Sequence, residues 1–155
     1  MSDKIKSGPR GSSEQTEEGL VLSPKFDANG LVTVVATDAQ SGDVLMVAHM
    51  NAEAVAKTIE TGEAWYFSRS RQELWRKGAT SGHVQRVVDM RVDCDQDAIW
   101  IKVEQAGPGA CHTGRRSCFY RAIPIGQRGE IKLAFREGEK AFDPRAVYGT
   151  SKKPG

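Results

Sequence analysis

The stretch RVVDMRVDCDQDAIWIKVEQ, residues 86–105, sets three carboxylates and a thiol in five consecutive positions between two runs rich in valine and isoleucine. Its reading decides the fold. Counted from Asp93, carboxylates fall at positions 1, 3 and 5 and Glu104 at position 12, the spacing of a calcium-binding EF-hand loop. That loop needs glycine at position 6, where Ala98 stands, and a helix on each side. The flanks are instead β-branched and strand-like. HVQRVVDMRVD (83–93) and DAIWIKVEQAG (97–107) are therefore expected to be strands, with the acidic cluster at their junction.

On a straight strand Asp93 and Asp97 would lie about 13 Å apart, too far for one ion to touch both. If Asp93, Asp95 and Asp97 act together, the chain must bend. Alone, the cluster reads most simply as a solvated acidic turn. Cys94 changes that, because in a strand-like segment its side chain points away from the aspartates. One turn could then offer oxygens to a hard ion such as Mg²⁺ and sulfur to Zn²⁺.

Outward from this pair, LVTVVATD (31–38) and DVLMVAHM (43–50) predict a hairpin turned by QSG. NAEAVAKTIETG predicts a helix with Asn51 as N-cap, Val55 and Ile59 on one face, and Gly62 at its end. EAWYFS (63–68) reads as a strand and QELWRKG (72–78) as a short helix. SCFYRAIPI (117–125) reads as a strand that Pro124 confines to an edge. Five or more strands with about two helices, not in strict βαβ alternation, give an α+β class. Residues 1–19 are polar and predict a disordered tail, 20–149 a single domain, and 150–155 a second loose end.

A hydrophobic fraction of 39%, a charged fraction of 27% and a formal charge of +2 describe an ordinary globular chain with no electrostatic case for nucleic acid or an anionic membrane. No apolar run reaches the roughly 20 residues of a membrane span. The N-terminus has no apolar signal core, so a cytoplasmic location is expected. Thiols stay reduced there, and the three cysteines read as ligands or core residues, not disulfides.

Cys94, Cys111 and Cys118 lack the paired C-x-x-C of structural zinc modules. Three thiolates without an obvious fourth ligand leave a coordination position open, as a catalytic zinc requires, and a water bound there is acidified toward a pKa of about 7. Buried, inert cysteines are the competing reading. His112, beside a candidate ligand, is placed to accept or deliver a proton.

Three segments together, SRSRQELWRKGATSG, DCDQD and GPGACHTGRRSCF, closely resemble the phosphoribosyl-AMP cyclohydrolase family of histidine biosynthesis, over about residues 30–122. The resemblance implies zinc on Cys94, Cys111 and Cys118, shared between the subunits of a homodimer, and magnesium on Asp93, Asp95 and Asp97. It implies a compact β-roll-like α+β fold. The implied reaction adds water at C6 of N1-(5-phosphoribosyl)-AMP and breaks the N1–C6 bond, with His112 as the proton-handling group. The substrate, a small phosphorylated nucleotide, carries two phosphates. Ser68, Arg69, Arg71, Lys77, Thr80 and Ser81 offer cations and hydroxyls for them beside a glycine turn.

Arg115 and Arg116 could meet an anion or face solvent. Trp65, Trp75 and Trp100 are expected in the core, and His83 on the surface. Ala79 stands where the family pattern often has a glutamate, and His49 where it often has tyrosine; neither is assigned to the site. About 30 residues follow SCFYR, too few for the pyrophosphohydrolase fused in some relatives, so a monofunctional form is expected. Nucleoside deaminases also attack a ring carbon, but their H-x-E and C-x-x-C signatures are missing. A non-enzymatic zinc- or calcium-binding module is the alternative from another class. It predicts a closed metal site without turnover.

Overall fold

The computed structural model describes residues 17–111, 113–136 and 145. Residues 1–16 of the predicted N-terminal tail, the whole predicted C-terminal tail (150–155), most of 137–149 and His112 lie outside the described residues.

The β-branched runs form strands where expected. β1 (Val32–Asp38) and β2 (Val44–Met50) are an antiparallel hairpin, and β5 (Gln85–Val92) pairs antiparallel with β6 (Ala98–Gln105). β6 also lies parallel to β1, giving a four-stranded mixed sheet of order β2-β1-β6-β5. Period-two alternation sets the buried face: Val32, Val34 and Ala36 from β1 meet Ile99, Ile101 and Val103 from β6. The sheet is open, with β2 and β5 at its edges.

One helix among the described residues, α1 (Ala52–Thr61), follows β2 and adds Ala54 and Val55 to the core. Asn51 Oδ1 accepts the Ala54 N–H at 2.8 Å, and Gly62 ends the helix in the left-handed region at φ 73°. The buried residues are Ala54, Val55, Ala56 and Thr58, whereas Ile59 is half exposed, contrary to the Val55–Ile59 face expected. Thr58 takes the inward position because its hydroxyl accepts the Trp65 N–H at 3.0 Å, tying α1 to the next strand.

That strand, β3 (Trp65–Ser68), turns back into β4 (Glu73–Arg76). The short helix predicted over 72–78 is therefore a strand. Gln72 adopts a φ of 52°, which breaks helical continuity, and the ladder to β3 satisfies the backbone of 73–76. Only Arg121–Ala122 (β7) of the predicted strand 117–125 is extended, paired with Ala134–Phe135 (β8), which the sequence reading did not anticipate. The α+β class holds, with one helix among the described residues.

The core closes over a polar thread. Tyr66 Oη donates to Gln85 Oε1 at 2.6 Å, and Gln85 Nε2 donates to Gln105 Oε1 at 2.9 Å. Gln105 Nε2 in turn reaches the carbonyls of His83 and Ala106. Tyr66 and Gln85 are fully buried, so each bond avoids an unsatisfied polar group costing about 1–3 kcal/mol. The thread locks the start of β5 to the end of β6, where two loops carry the remaining candidate residues.

Candidate metal centre and anion-binding pockets

Asp93–Asp97 forms the turn between β5 and β6, and the chain does bend there. Gln96 takes a left-handed φ of 60°, and Asp93 Oδ1 accepts the N–H groups of Asp97 and Ala98 at 2.9 and 3.2 Å. The bend brings one carboxylate oxygen from each of Asp93, Asp95 and Asp97 within 4.8 Å of the others. Three hard anionic oxygens so close suit a divalent cation. Crowding shows in their acidities. Hydrogen bonding with Asp93, then with Asp95, pushes Asp97 up to about 6. Asp93 goes the other way: burial opposes ionisation, but the hydrogen bond with Asp97 and the two backbone N–H donors outweigh it.

Gln96, the uncharged member of the cluster, is buried. Its Oε1 accepts the Ser23 N–H at 2.7 Å and its carbonyl the Lys25 N–H at 2.7 Å, so residues 23–25 pack under the turn. The sequence reading missed this anchor; one neutral residue in an otherwise ionisable run was its only signal.

The thiols divide. Among the described residues, no three cysteine or histidine donors gather as the aspartates do. Cys94 is exposed beside the acidic turn. Cys111 is buried and Cys118 exposed, in a separate loop after β6. That loop is closed by Ala110 N–H to Arg116 O at 3.0 Å and Cys111 N–H to Arg115 O at 3.1 Å. Cys118 N–H donates to Leu45 O at 2.7 Å, and Ser117 Oγ to Val44 O at 2.7 Å, which fixes the loop to β2. Cys111 Sγ lies 2.9 Å from Thr113 Oγ1. Both thiols act electrostatically on Lys77, so these two share one neighbourhood.

Lys77 also joins this loop to a basic pocket of about 100 Å³ lined by Arg71, Lys77, Thr80 and Ser81 with Trp75 and Gly78. Arg69 lines a second cavity of about 280 Å³, with Asn29, Asn51 and Gln72. Ser68 is buried, and its hydroxyl accepts the Arg71 N–H at 3.2 Å, shaping the β3–β4 turn. His49 is half buried near Arg69; burial first, then the Arg69 charge, lowers its pKa. Arg116 bonds Asp43 at 2.9 Å, whereas the Arg115 guanidinium lies over Tyr120 and Phe135.

Two expectations fail here. Trp100 is 39% exposed on the outer sheet face, with Arg91 and Lys102 over its ring, because the alternation that buries Ile99 and Ile101 turns position 100 outward. His83 is half buried, not on the surface, and its ring occupies the space a Cβ on Gly107 would need. Gly78 has the sharper requirement. At φ 92° its Cβ would come 2.4 Å from the Val84 nitrogen. Gly78→Ala is expected to cost about 2–4 kcal/mol, combining left-handed strain with a clash against backbone, read as a lower urea midpoint.

A mixed sheet carrying a compact carboxylate cluster, a thiol loop and a basic pocket defines an α+β protein with candidate sites for a divalent cation and an anion. Comparison with known proteins narrows this. The sequence profile of the family described as phosphoribosyl-AMP cyclohydrolase matches residues 46–120. A protein named phosphoribosyl-AMP cyclohydrolase from Nitrobacter winogradskyi is 68% identical over 142 residues, 92% of this chain and 97% of its own length. One of the same name from Bradyrhizobium diazoefficiens is 67% identical over 136 residues, 88% of this chain and 96% of that protein. Another from Rhodopseudomonas palustris strain HaA2 is 66% identical over 136 residues, 88% and 92%. The chain belongs to the phosphoribosyl-AMP cyclohydrolase family, a family of hydrolases.

Proposed function

We propose that this chain opens the purine ring of N1-(5-phosphoribosyl)-AMP in histidine biosynthesis, as a cytoplasmic homodimer using zinc and magnesium. One observation carries the reading: the pocket that offers Arg71, Thr80 and Ser81 to an anion adjoins, through the Lys77 bond to Ala110 O, the loop bearing Cys111 and Cys118, so anion donors and soft ligands lie side by side. No helix among the described residues is long and apolar enough to cross a membrane. The matched relatives of that name are covered almost end to end.

The donor sets fit the two metals. Asp93, Asp95 and Asp97 are a compact oxygen set for Mg²⁺, which commonly keeps waters and bridges to phosphate. Cys111 and Cys118 would supply two soft ligands, and Cys94, exposed at the other turn, is open to serve a second copy. Zinc so held supplies Lewis acidity and an acidified water.

The chain's own residues do the rest. Arg71, Thr80 and Ser81 in one cavity and Arg69 in the other give each phosphate its own guanidinium, fixing the purine against rotation. Alkylation at N1 leaves C6 electron-poor. Water adds there, the N1–C6 bond breaks with its electron pair going to N1, and His112 passes the water's proton to N1.

The test is an ultraviolet assay on the nucleotide, since ring opening alters the chromophore. Turnover with about one zinc per chain, lost on chelation, is expected; tightly held calcium without turnover would favour a binding module. His112→Ala is expected to lower kcat about 10²-fold with zinc content unchanged. Unchanged turnover would remove His112 from the mechanism.

A further inference from the structure

Among the described residues, Lys77 is the one lysine or arginine that is buried, at 6% exposure. An ammonium withdrawn from water costs several kcal/mol unless it is paired and hydrogen-bonded. Something must repay that. Its root is held by its own N–H, which donates to Ala64 O at 3.0 Å. Its tip crosses 33 positions of sequence to donate from Nζ to Ala110 O at 2.5 Å, and it stands 5.7 Å from the Trp75 ring centroid.

Ala110 immediately precedes Cys111, and both residues are bonded by their N–H groups to the returning strand of the loop. Gly109 presses against that return, where a Cβ would lie 2.5 Å from Arg115 O, so the loop has little room to shift independently. Burial lowers the Lys77 pKa, while Cys118 and then Cys111 act in the opposite direction, which places both sulfurs on the ammonium's electrostatic horizon. No other buried cation is available to them among the described residues.

We infer that Lys77 is a positioning residue: its ammonium pins the carbonyl ahead of Cys111 and balances the charge of the Cys111–Cys118 pair when it holds a metal, so that Lys77 sets metal retention. This rests on the proposal that the pair is part of a zinc site, but its first consequence needs no metal. The sequence reading gave Lys77 to substrate phosphate, and the two roles predict different kinetics.

The test compares wild type with Lys77→Met, which keeps an unbranched apolar stem and removes the ammonium, and with Lys77→Arg, which keeps charge and donors. In chelator-stripped full-length protein, at a pH high enough to ionise the thiol in every variant so that access and not thiolate fraction sets the rate, iodoacetamide labelling of Cys111, followed by peptide mass spectrometry, is expected to be at least about fivefold faster in Lys77→Met, with Cys94 unchanged as internal control. Zinc affinity by chelator competition is expected to fall about 10–100-fold, as for loss of groups that orient ligands. Lys77→Arg should restore most of both, and KM measured at full zinc occupancy should stay within about twofold of wild type. Should Lys77→Met fail to fold, Lys77→Gln fills the slot with a neutral donor one bond shorter, and the same two losses are expected. Cys111 labelling and zinc affinity both within twofold of wild type, with KM raised, would overturn the inference in favour of a phosphate contact. Absence of zinc from the wild type would sink the metal assignment instead, and the labelling arm would still decide the role of Lys77.

Discussion

Cys94→Ser and Cys111→Ser are each expected to be inactive alone, and a refolded equimolar mixture of the two is expected to regain about a quarter of wild-type activity. The number follows from how the thiols divide. Cys111 and Cys118 share the neighbourhood of Lys77, and Cys94 sits at the β5–β6 turn outside their group. If each zinc takes Cys94 from one protomer and the pair from its partner, a hybrid dimer holds one doubly damaged site and one intact site. Random pairing makes about half the dimers hybrid, each with half its sites intact. Zinc content should track activity across the series.

A chain that gathered all three thiols by an internal rearrangement would give a different result. Each variant would then damage only its own site, and the mixture would stay inactive. Cys111→Ser mixed with Cys118→Ser supplies the control, because both lesions fall on the same half and no hybrid contains an intact site. Recovery in the control, or none in the cross, would rule out shared ligation.

The alternation of apolar residues was enough to place β1, β2, β5 and β6, because a period of two with β-branched side chains admits one buried face. It was not enough at 72–78. ELWR has no period of its own, and the hairpin is decided by Gln72 in a left-handed conformation and by pairing with β3, neither of which a local pattern encodes. Trp100 was misjudged for a related reason: bulk apolar character suggested core, but the parity of its neighbours turned it outward. The acidic set was readable because DxDxD needs a bend before it can bind anything, and a junction between strands supplies one. Lys77 was legible only as a cation in a polar loop. Its burial depends on Ala110, 33 residues away, and long-range closure of that kind leaves no trace in spacing.

Millimolar Mg²⁺ is expected to raise the thermal midpoint of the zinc-loaded protein at pH 7, and Asp97→Asn to abolish that rise. At a concentration of 100 times Kd, binding to the folded state alone adds about 2.7 kcal/mol, roughly 5–10 °C for a chain of this size. The sign with pH follows from Asp97, whose carboxyl is pushed from 3.8 to about 6 by Asp93 and Asp95. Between those values the folded state binds more protons than the unfolded one, so this group's contribution to stability falls as pH rises and is most adverse above about pH 6. A divalent ion relieves the same repulsion that a proton relieves at pH 5. The Mg²⁺ shift should therefore be larger at pH 7 than at pH 5, and metal-free Asp97→Asn should melt above metal-free wild type at pH 7. Sodium chloride at matched ionic strength separates binding from screening, because exposed carboxylates also gain from screening by any salt. An equal shift with sodium chloride, or an unchanged Mg²⁺ response in Asp97→Asn, would reduce the three aspartates to a solvated turn.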